Sequence, residues 1–413
     1  MASAAAAGRK GQPRGVPPWE EDAHLPVKSK LSHGLAIATL NRPRTLNCLE
    51  EDMLTMMWDQ YNTWLRNPVA CTIMLKGEGP KAFCAGGDVK FATGTWAKGD
   101  KERVLKFFGT EYQMNYLLHT MKKSHVAFLD GIVMGGGAGM SMHGLFNVAT
   151  EKTMFAMPEC ALGLFPDVGA SHFLTHKASY PVGLCLALTG MRVYGNDVKS
   201  IGLASHYIPS FKLDMVEHNL ESLGAELVDP RLVDVVLTRL EELEPEENSV
   251  LMSKMDVIHA VFSEDKESVE EIVLHLRSLT EAGDTWCEGA LKSIEKASPS
   301  SLRVTLEQMR RGKDMPLREC LKMEFRLLNR FLERHDFYEG VRSILIDKDN
   351  KPTWEPASLA EVTDAMVAEY FARLPERDEL ELVYTTDIQL DMEYDDGGGD
   401  DDSSDSTQRD AKL

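Results

Sequence analysis

Two carboxylates, Glu159 and Asp167, sit beside prolines in the apolar stretch FAMPECALGLFPDVG. A carboxylate walled in by apolar side chains loses hydration, and burial raises its pKa toward the range useful for general acid–base work. Upstream, the apolar run VAFLDGIVM breaks on a glycine cluster: Gly135, Gly136, Gly137 and Gly139. Glycines between a strand and a helix start let the backbone approach a ligand closely and turn free amides toward it. A second glycine turn, CAGGD at Cys84 to Asp88, offers further amides. An oxyanion hole needs two donors fixed in advance, and losing one typically costs about 100- to 1000-fold in rate. Strand, glycine turn, helix start and two acids thus have the ingredients of an acyl-transfer site. Plainer readings stand beside this one. The glycine cluster could be a packing turn, Asp167 a helix or turn cap, and Glu111 reads by default as a surface residue.

Other chemistries fit poorly. After Gly137 and Gly139, position 142 is Met, so the spacing is not GxGxxG, and no acid ends a second strand at dinucleotide-binding distance. There is no GxSxG elbow. Ser141 and His143 are two apart on an expected helix, where neighbours do not face each other. Cys84 has no histidine in a recognisable arrangement. The seven cysteines form no CxxC pair, which argues for reduced thiols inside the cell. Hydrophobic content of 43%, charged content of 27% and a net charge of −20 describe an ordinary soluble globular chain. That charge argues against a broad nucleic-acid or anionic-membrane surface. No apolar run approaches the roughly 20 residues of a membrane helix.

The elements that must hold these residues are legible from periodicity. GLAIATLNRP alternates as a strand from His33, Leu49 to Leu65 carries helical spacing, and CTIMLK at Cys71 to Lys76 is a second strand. KAFCAGGDVK gives a short strand with Asp88 in position to cap the segment after it. Arg103 to Met121 is predicted helical, and His125 to Ile132 is the strand that feeds the glycine cluster. Successive strand–strand–helix units of this kind fit an α/β core. Beyond about Pro209 helical patterns dominate, with Met315 to His335 and a last helix over Leu359 to Leu374 among them.

The expected organisation is a disordered segment 1–24, a catalytic core 25–212, a helical region 213–385 and a disordered acidic tail 386–413. The tail ends in Ala411-Lys412-Leu413, one step from the Ser-Lys-Leu peroxisomal address. It points to the peroxisome and an import receptor as partner. The Ala-rich amino terminus lacks an amphipathic Arg-rich helix, which leaves the mitochondrion as the alternative.

The motifs LNRPRTLNCL, KAFCAGGD, GIVMGGGAG and FAMPECALGLFPDVGASHFL resemble the crotonase (enoyl-CoA hydratase/isomerase) superfamily, and within it the 3-hydroxyisobutyryl-CoA hydrolases. ASPSSLRVTLEQMRRG and FYEGVRSILIDKDNKPTWEP are similar to that subfamily's carboxy-terminal signature, so the resemblance spans roughly residues 30 to 380. With the AKL end, the plant peroxisomal members look nearest.

The resemblance implies a crotonase-like spiral of ββα units with a mostly helical C-terminal region, binding a bent acyl-CoA. Gly87 and Gly136 match the oxyanion-hole amides, Glu159 the catalytic Glu, and Asp167 the acid that orients the hydroxyacyl group and water. Glu111 matches a substrate-binding acid, and Arg44, Leu46 and Ala85 the CoA-contact positions. Hydratases of the superfamily carry a second catalytic Glu just after the glycine cluster; here that position is Gly139. One Glu beside an oxyanion hole suits thioester hydrolysis, with Glu159 either activating water or attacking to form an anhydride. The expected activity is hydrolysis of 3-hydroxyisobutyryl-CoA, and of 3-hydroxypropionyl-CoA, in valine breakdown. No cofactor beyond the substrate's own CoA and no metal is implied, and an oligomer is compatible. The alternatives are an enoyl-CoA hydratase or isomerase, and a non-catalytic scaffold associated with mitochondrial ribosomes.

Overall fold

Strands buried on both faces read as continuous apolar runs, and four such runs build the centre of the fold. A computed structural model of the chain describes residues 24–242 and 249–384. β2 (Leu35–Leu40), β3 (Thr72–Gly77), β5 (Ser124–Leu129) and β7 (Phe146–Ala149) run parallel in one sheet. β1 (Val27–Ser32) pairs antiparallel on one edge, and β10 (His206–Tyr207) closes the other. The order is β1-β2-β3-β5-β7-β10. β1 has only one fully buried residue, Val27, so it lacks the pattern that marks its neighbour.

A second, smaller sheet contains β4 (Ala82–Cys84), β6 (Ile132–Met134), β8 (Met154–Ala156) and β9 (Val193–Tyr194), in the order β4-β6-β8-β9. After α1 (Glu51–Arg66), three successive turns of the chain each give one strand to the larger sheet and one to the smaller, then a helix. β3 and β4 lead to α2 (Val89–Ala97) and α3 (Lys101–Thr120), and β5 and β6 to α4 (Gly136–Met142). β7 and β8 lead to a short 3-10 turn (Glu159–Leu162), then α5 (Ala170–His176) and α6 (Tyr180–Thr189). α7 (Asn196–Ser200) precedes β10. This is the expected ββα spiral. The strand predicted over His125 to Ile132 is two strands in different sheets. The chain changes sheet at Gly131, whose φ of 108° and approach to Lys81 O, 2.6 Å from where a Cβ would stand, leave no room for a side chain.

The helical half comprises α8 (Leu213–Leu223), α9 (Pro230–Leu240), α10 (Met255–Val261), α11 (Val269–Glu281), α12 (Thr285–Lys296), α13 (Pro299–Gly312), α14 (Leu317–Leu332), α15 (His335–Val341) and α16 (Asp364–Phe371). Side chains of Asp229, Ser268, Asp284, Ser298 and Thr363 cap five of these starts. Two predictions need correcting. The helix expected to reach His335 stops at Leu332, and Arg334 is extended before α15 begins. The one expected over Leu359 to Leu374 is confined to α16 after a separate 3-10 turn, because Thr363 is extended and caps a new start. Apart from His24, the segments expected to be disordered, 1–24 and 386–413, lie outside the described residues.

Helices α8 and α9 cover one face of the larger sheet, packing Val216, Leu220, Val233 and Leu237 against Leu35, Met74, Val126 and Val148. Helices α13 to α15 instead fold back onto the turn that carries Glu159. Ser298 N–H donates to Cys160 O at 3.1 Å, and Ser298 Oγ to the buried Asp336 carboxylate at 2.5 Å. Backbones also touch: a Cβ on Gly340 would stand 2.2 Å from Leu162 O, and one on Gly163 2.1 Å from Asp336 O. Gly340→Ala should therefore destabilise the fold by about 1–3 kcal/mol, read as a lower denaturant midpoint with an unchanged slope. An unaltered midpoint would contradict this docking.

Candidate active site

Two glycine turns meet here, and pairing geometry decides which amides stay free. The 46–50 loop and the CAGGD turn are zipped by Ala85 N to Leu46 O (3.0 Å), Leu49 N to Gly86 O (2.8 Å) and Asp88 N to Leu49 O (3.0 Å). In this parallel bridge Gly87 is the residue opposite Leu49, so its own N–H points away from the partner strand. Its nitrogen lies against Gly136: a Cβ on Gly136 would stand 3.1 Å from Gly87 N. Gly136 is the first residue of α4, where an amide has no acceptor within the helix. Gly135 makes the turn with φ 46° and ψ −121°, a conformation only glycine holds readily. The predicted pair of donors is thus brought side by side from separate turns.

Two carboxylates close on the pair, and a third, Asp167, acts on both of them by its charge. A Cβ on Gly135 would stand 2.9 Å from Glu159 Oε1, and one on Gly136 2.1 Å from Glu111 Oε1. Oε2 of Glu111 lies 3.7 Å from the Cβ position of Gly87. Glu111 is only 1% exposed, which corrects its default reading as a surface residue. α3 is buried on several sides, so a helix position that looks solvated in sequence faces the cleft instead. Asp167 is buried and accepts a hydrogen bond from Tyr112 Oη at 3.0 Å, so it is not a cap for α5.

The electrostatics are set by dryness. Burial pushes the carboxyl of Glu159 well above its ordinary range, and the charges of Asp167 and Glu111 push it further. Glu111 is raised by burial first and by Asp167 second, and Asp167 is raised by burial while its Tyr112 bond opposes the shift. Oε1 of Glu111 and Oε2 of Glu159 are buried with no hydrogen-bond partner among the described residues. Such oxygens are poised for a partner that arrives with a ligand, such as a hydroxyl or a water.

The expected CoA-contact positions separate. Leu46 and Ala85 are joined by the backbone bond above, with Leu46 held left-handed at φ 56°. Arg44 stands exposed on the 3-10 turn Pro43–Thr45 and forms no ion pair among the described residues. Among the described residues no group of three or more His, Cys, Asp or Glu is arranged to hold a metal ion.

Gly139, the position without an acid, has a structural counterpart. A Cβ there would stand 2.6 Å from Val168 Cβ and 2.8 Å from Asn115 Nδ2. The space a second carboxylate would need is filled. Sequence reasoning missed Tyr112 and Asn115, which lie within the predicted helix Arg103 to Met121, and Val168, whose φ of 54° is unusual for a β-branched residue. It also missed Glu324 of α14, which accepts from Gly169 N at 2.6 Å. One signal was available for that last residue: Glu324 lies on the apolar stripe of Leu317, Leu321, Leu328 and Phe331.

Comparison with known proteins identifies relatives over most of the chain. The model of the enoyl-CoA hydratase/isomerase family matches residues 35–371. The chain is 43% identical over 359 residues to a chicken protein named 3-hydroxyisobutyryl-CoA hydrolase, mitochondrial, covering 86% of this chain and 91% of that one. It is 39% identical over 350 residues to the 3-hydroxyisobutyryl-CoA hydrolase 1 of Arabidopsis thaliana, covering 84% and 91%. The structure of a carnitinyl-CoA dehydratase from Mycobacterium thermoresistibile superposes with a TM-score of 0.77 at 34% identity, covering 86% of this chain and 98% of that one. An enoyl-CoA hydratase from Rhodobacter sphaeroides gives 0.77 at 32%, covering 87% and 100%. The peroxisomal expectation, with its import receptor, is overturned: the chicken, Xenopus laevis and rat relatives are all named mitochondrial, and the Arabidopsis name carries no compartment. Ala411-Lys412-Leu413 resembled an address by three residues only, and it lies outside the described residues.

The crowding at Gly139 gives a test. Gly139→Asp should destabilise the fold by at least about 2 kcal/mol, through overpacking against Val168 and burial of an unpaired charge. A thermal midpoint equal to wild type would show that the site has room for a further acid.

Proposed function

The chain belongs to the enoyl-CoA hydratase/isomerase family, and on that premise we propose that it hydrolyses 3-hydroxyisobutyryl-CoA to the free hydroxy acid and CoA in valine catabolism. The observation that carries the reading is the pairing of the Gly87 and Gly136 amides beside Glu159, with the space at Gly139 closed. Two adjacent donors fit the oxygen of a thioester carbonyl as it gains charge. The unpartnered oxygen of Glu159 beside them fits the delivery of water or a direct attack.

In this mechanism the thioester oxygen lies between the N–H groups of Gly87 and Gly136, and the start of α4 adds its partial positive charge. Either Glu159 takes a proton from water as the water oxygen bonds to the carbonyl carbon, or it attacks that carbon itself. In the first course a tetrahedral oxyanion forms and collapses, the carbon–sulfur bond breaks, and CoA leaves as a thiolate. In the second the carbon–sulfur bond breaks as an anhydride with Glu159 forms, CoA leaves as a thiolate, and water then cleaves the anhydride to the free hydroxy acid and the Glu159 carboxylate. Asp167, held by Tyr112, orients the 3-hydroxyl or the water, and Glu111 lines the acyl pocket. Leu46 and Ala85 supply backbone to the CoA chain, Arg44 a cation to its phosphates. The reading requires no cofactor beyond the CoA of the substrate. 3-Hydroxypropionyl-CoA, which lacks only a methyl group, fits the same chemistry.

A second reading, hydration or isomerisation of an enoyl-CoA, takes support from the solved dehydratase and hydratase relatives. Hydration of crotonyl-CoA without thiol release would favour it. Under the hydrolase reading, Glu159→Gln lowers kcat for thiol release by about 10²- to 10⁴-fold while acyl-CoA binding, measured by calorimetry, survives. Retained turnover in that variant sinks the mechanism.

The pH dependence has a definite sign. Glu159 acts ionised, and its carboxyl titrates above the ordinary range, so the acid limb of kcat/KM should lie above pH 4.5. The charge of Asp167 raises Glu159, so Asp167→Asn should move that limb to lower pH, whatever its effect on the plateau. A limb that stays put or moves upward would show that the two acids do not interact in this way.

A further inference from the structure

We propose that Glu324, which lies outside the ββα core on α14, is the positioning residue that sets Asp167 for turnover. This rests on the functional reading above in taking Asp167 as a group that touches substrate. The fully buried carboxylate accepts four hydrogen bonds: Gly169 N at 2.6 Å on Oε2, and Ser171 N at 3.2 Å, Ser171 Oγ at 2.6 Å and Gln308 Nε2 at 3.2 Å on Oε1. Gln308, from α13, also donates to Pro166 O at 2.7 Å. Asp167 therefore sits between a carbonyl held by Gln308 and an amide held by Glu324. Both holding side chains lie more than 140 residues away in sequence.

The segment needs holding. Val168 is left-handed at φ 54°, a strained conformation for a β-branched residue, which persists only where the surroundings over-determine it. Its carbonyl is bonded by His143 Nε2 at 2.7 Å. With Pro166, Val168 and Gly169 each tied to a different element, the direction in which Asp167 leaves the backbone is fixed. All four partners of Glu324 are donors, so only an acceptor with the lone pairs of a carboxylate can serve them all. Glutamine, nearly the same shape, would turn an N–H toward one of those donors.

A plain helix cap would cost stability when removed but would not act through Asp167. The test is a double-mutant cycle of Glu324→Gln with Asp167→Asn, measured as thiol release from 3-hydroxyisobutyryl-CoA. The expected result is a kcat lower by about 10- to 100-fold in Glu324→Gln with KM within about twofold, and no further loss once Asp167 is already Asn. Additive losses, or a kcat within twofold of wild type, overturn the proposal. If Glu324→Gln does not fold, Ser171→Ala removes one donor from the same carboxylate and enters the cycle in its place, with the same criteria.

Hydrogen–deuterium exchange over residues 166–171 reads the pinning whatever reaction is catalysed. Faster exchange in the variant is expected, and unchanged protection overturns the inference. Lack of thiol release by the wild-type protein would overturn the hydrolase reading instead, so the two failures are distinguishable.

Discussion

Carboxylates kept in a dry cleft repel one another and resist ionisation, and much of the architecture around the candidate site answers that constraint. Glu111, Glu159 and Asp167 are each buried and each raised by burial before any other cause. Three such groups cannot relax into water, so helix α3 must hold Glu111 and rigid turns must hold Glu159 and Asp167 in place. The Tyr112 hydroxyl meets Asp167, while oxygens of Glu111 and Glu159 remain without partners among the described residues. The cleft is pre-arranged, at a cost in stability that the remainder of the fold offsets.

That support comes from two directions. The ββα spiral provides the amides, because the change of sheet at Gly131 and the left-handed turn at Gly135 bring the start of α4 against the CAGGD turn. The helical half provides the grip on the acids. Ser298, Asp336 and Gly340 close over the Glu159 turn, and Glu324 with Gln308 grips the segment that bears Asp167. Helices that read as a separate appendage in sequence thus form the far wall of the acidic turns.

The sequence carried three of the four core strands, β2, β3 and β5 but not β7, together with most helices and the two glycine turns, because each of these has a local signature. Buried strands are continuous apolar runs, capped helices begin with Asp, Ser or Thr, and close backbone contacts demand glycine. β1 escaped because only Val27 of it is fully buried, and α15 escaped because nothing local distinguishes the break at Arg334 from the helices around it. Glu111 shows the same limit at the site. Only its family resemblance assigned it a role, since an acid on a long helix looks solvated until the neighbouring elements are known.

By itself, the sequence determined which groups are available: amides at Gly87 and Gly136, acids at Glu159 and Asp167, and no acid at 139. Spacing places these groups in two glycine turns and one apolar stretch, and the family resemblance singles out Gly87, Gly136 and position 139 among them. Tertiary structure alone decided that the Gly136 position meets Gly87 N, that Glu111 faces the amides, and that Asn115 and Val168 fill the space beside Gly139. It alone brought Glu324 within 2.6 Å of Gly169, across more than 150 residues of chain. Contacts between distant segments depend on how buried surfaces fit together, and no local pattern records that.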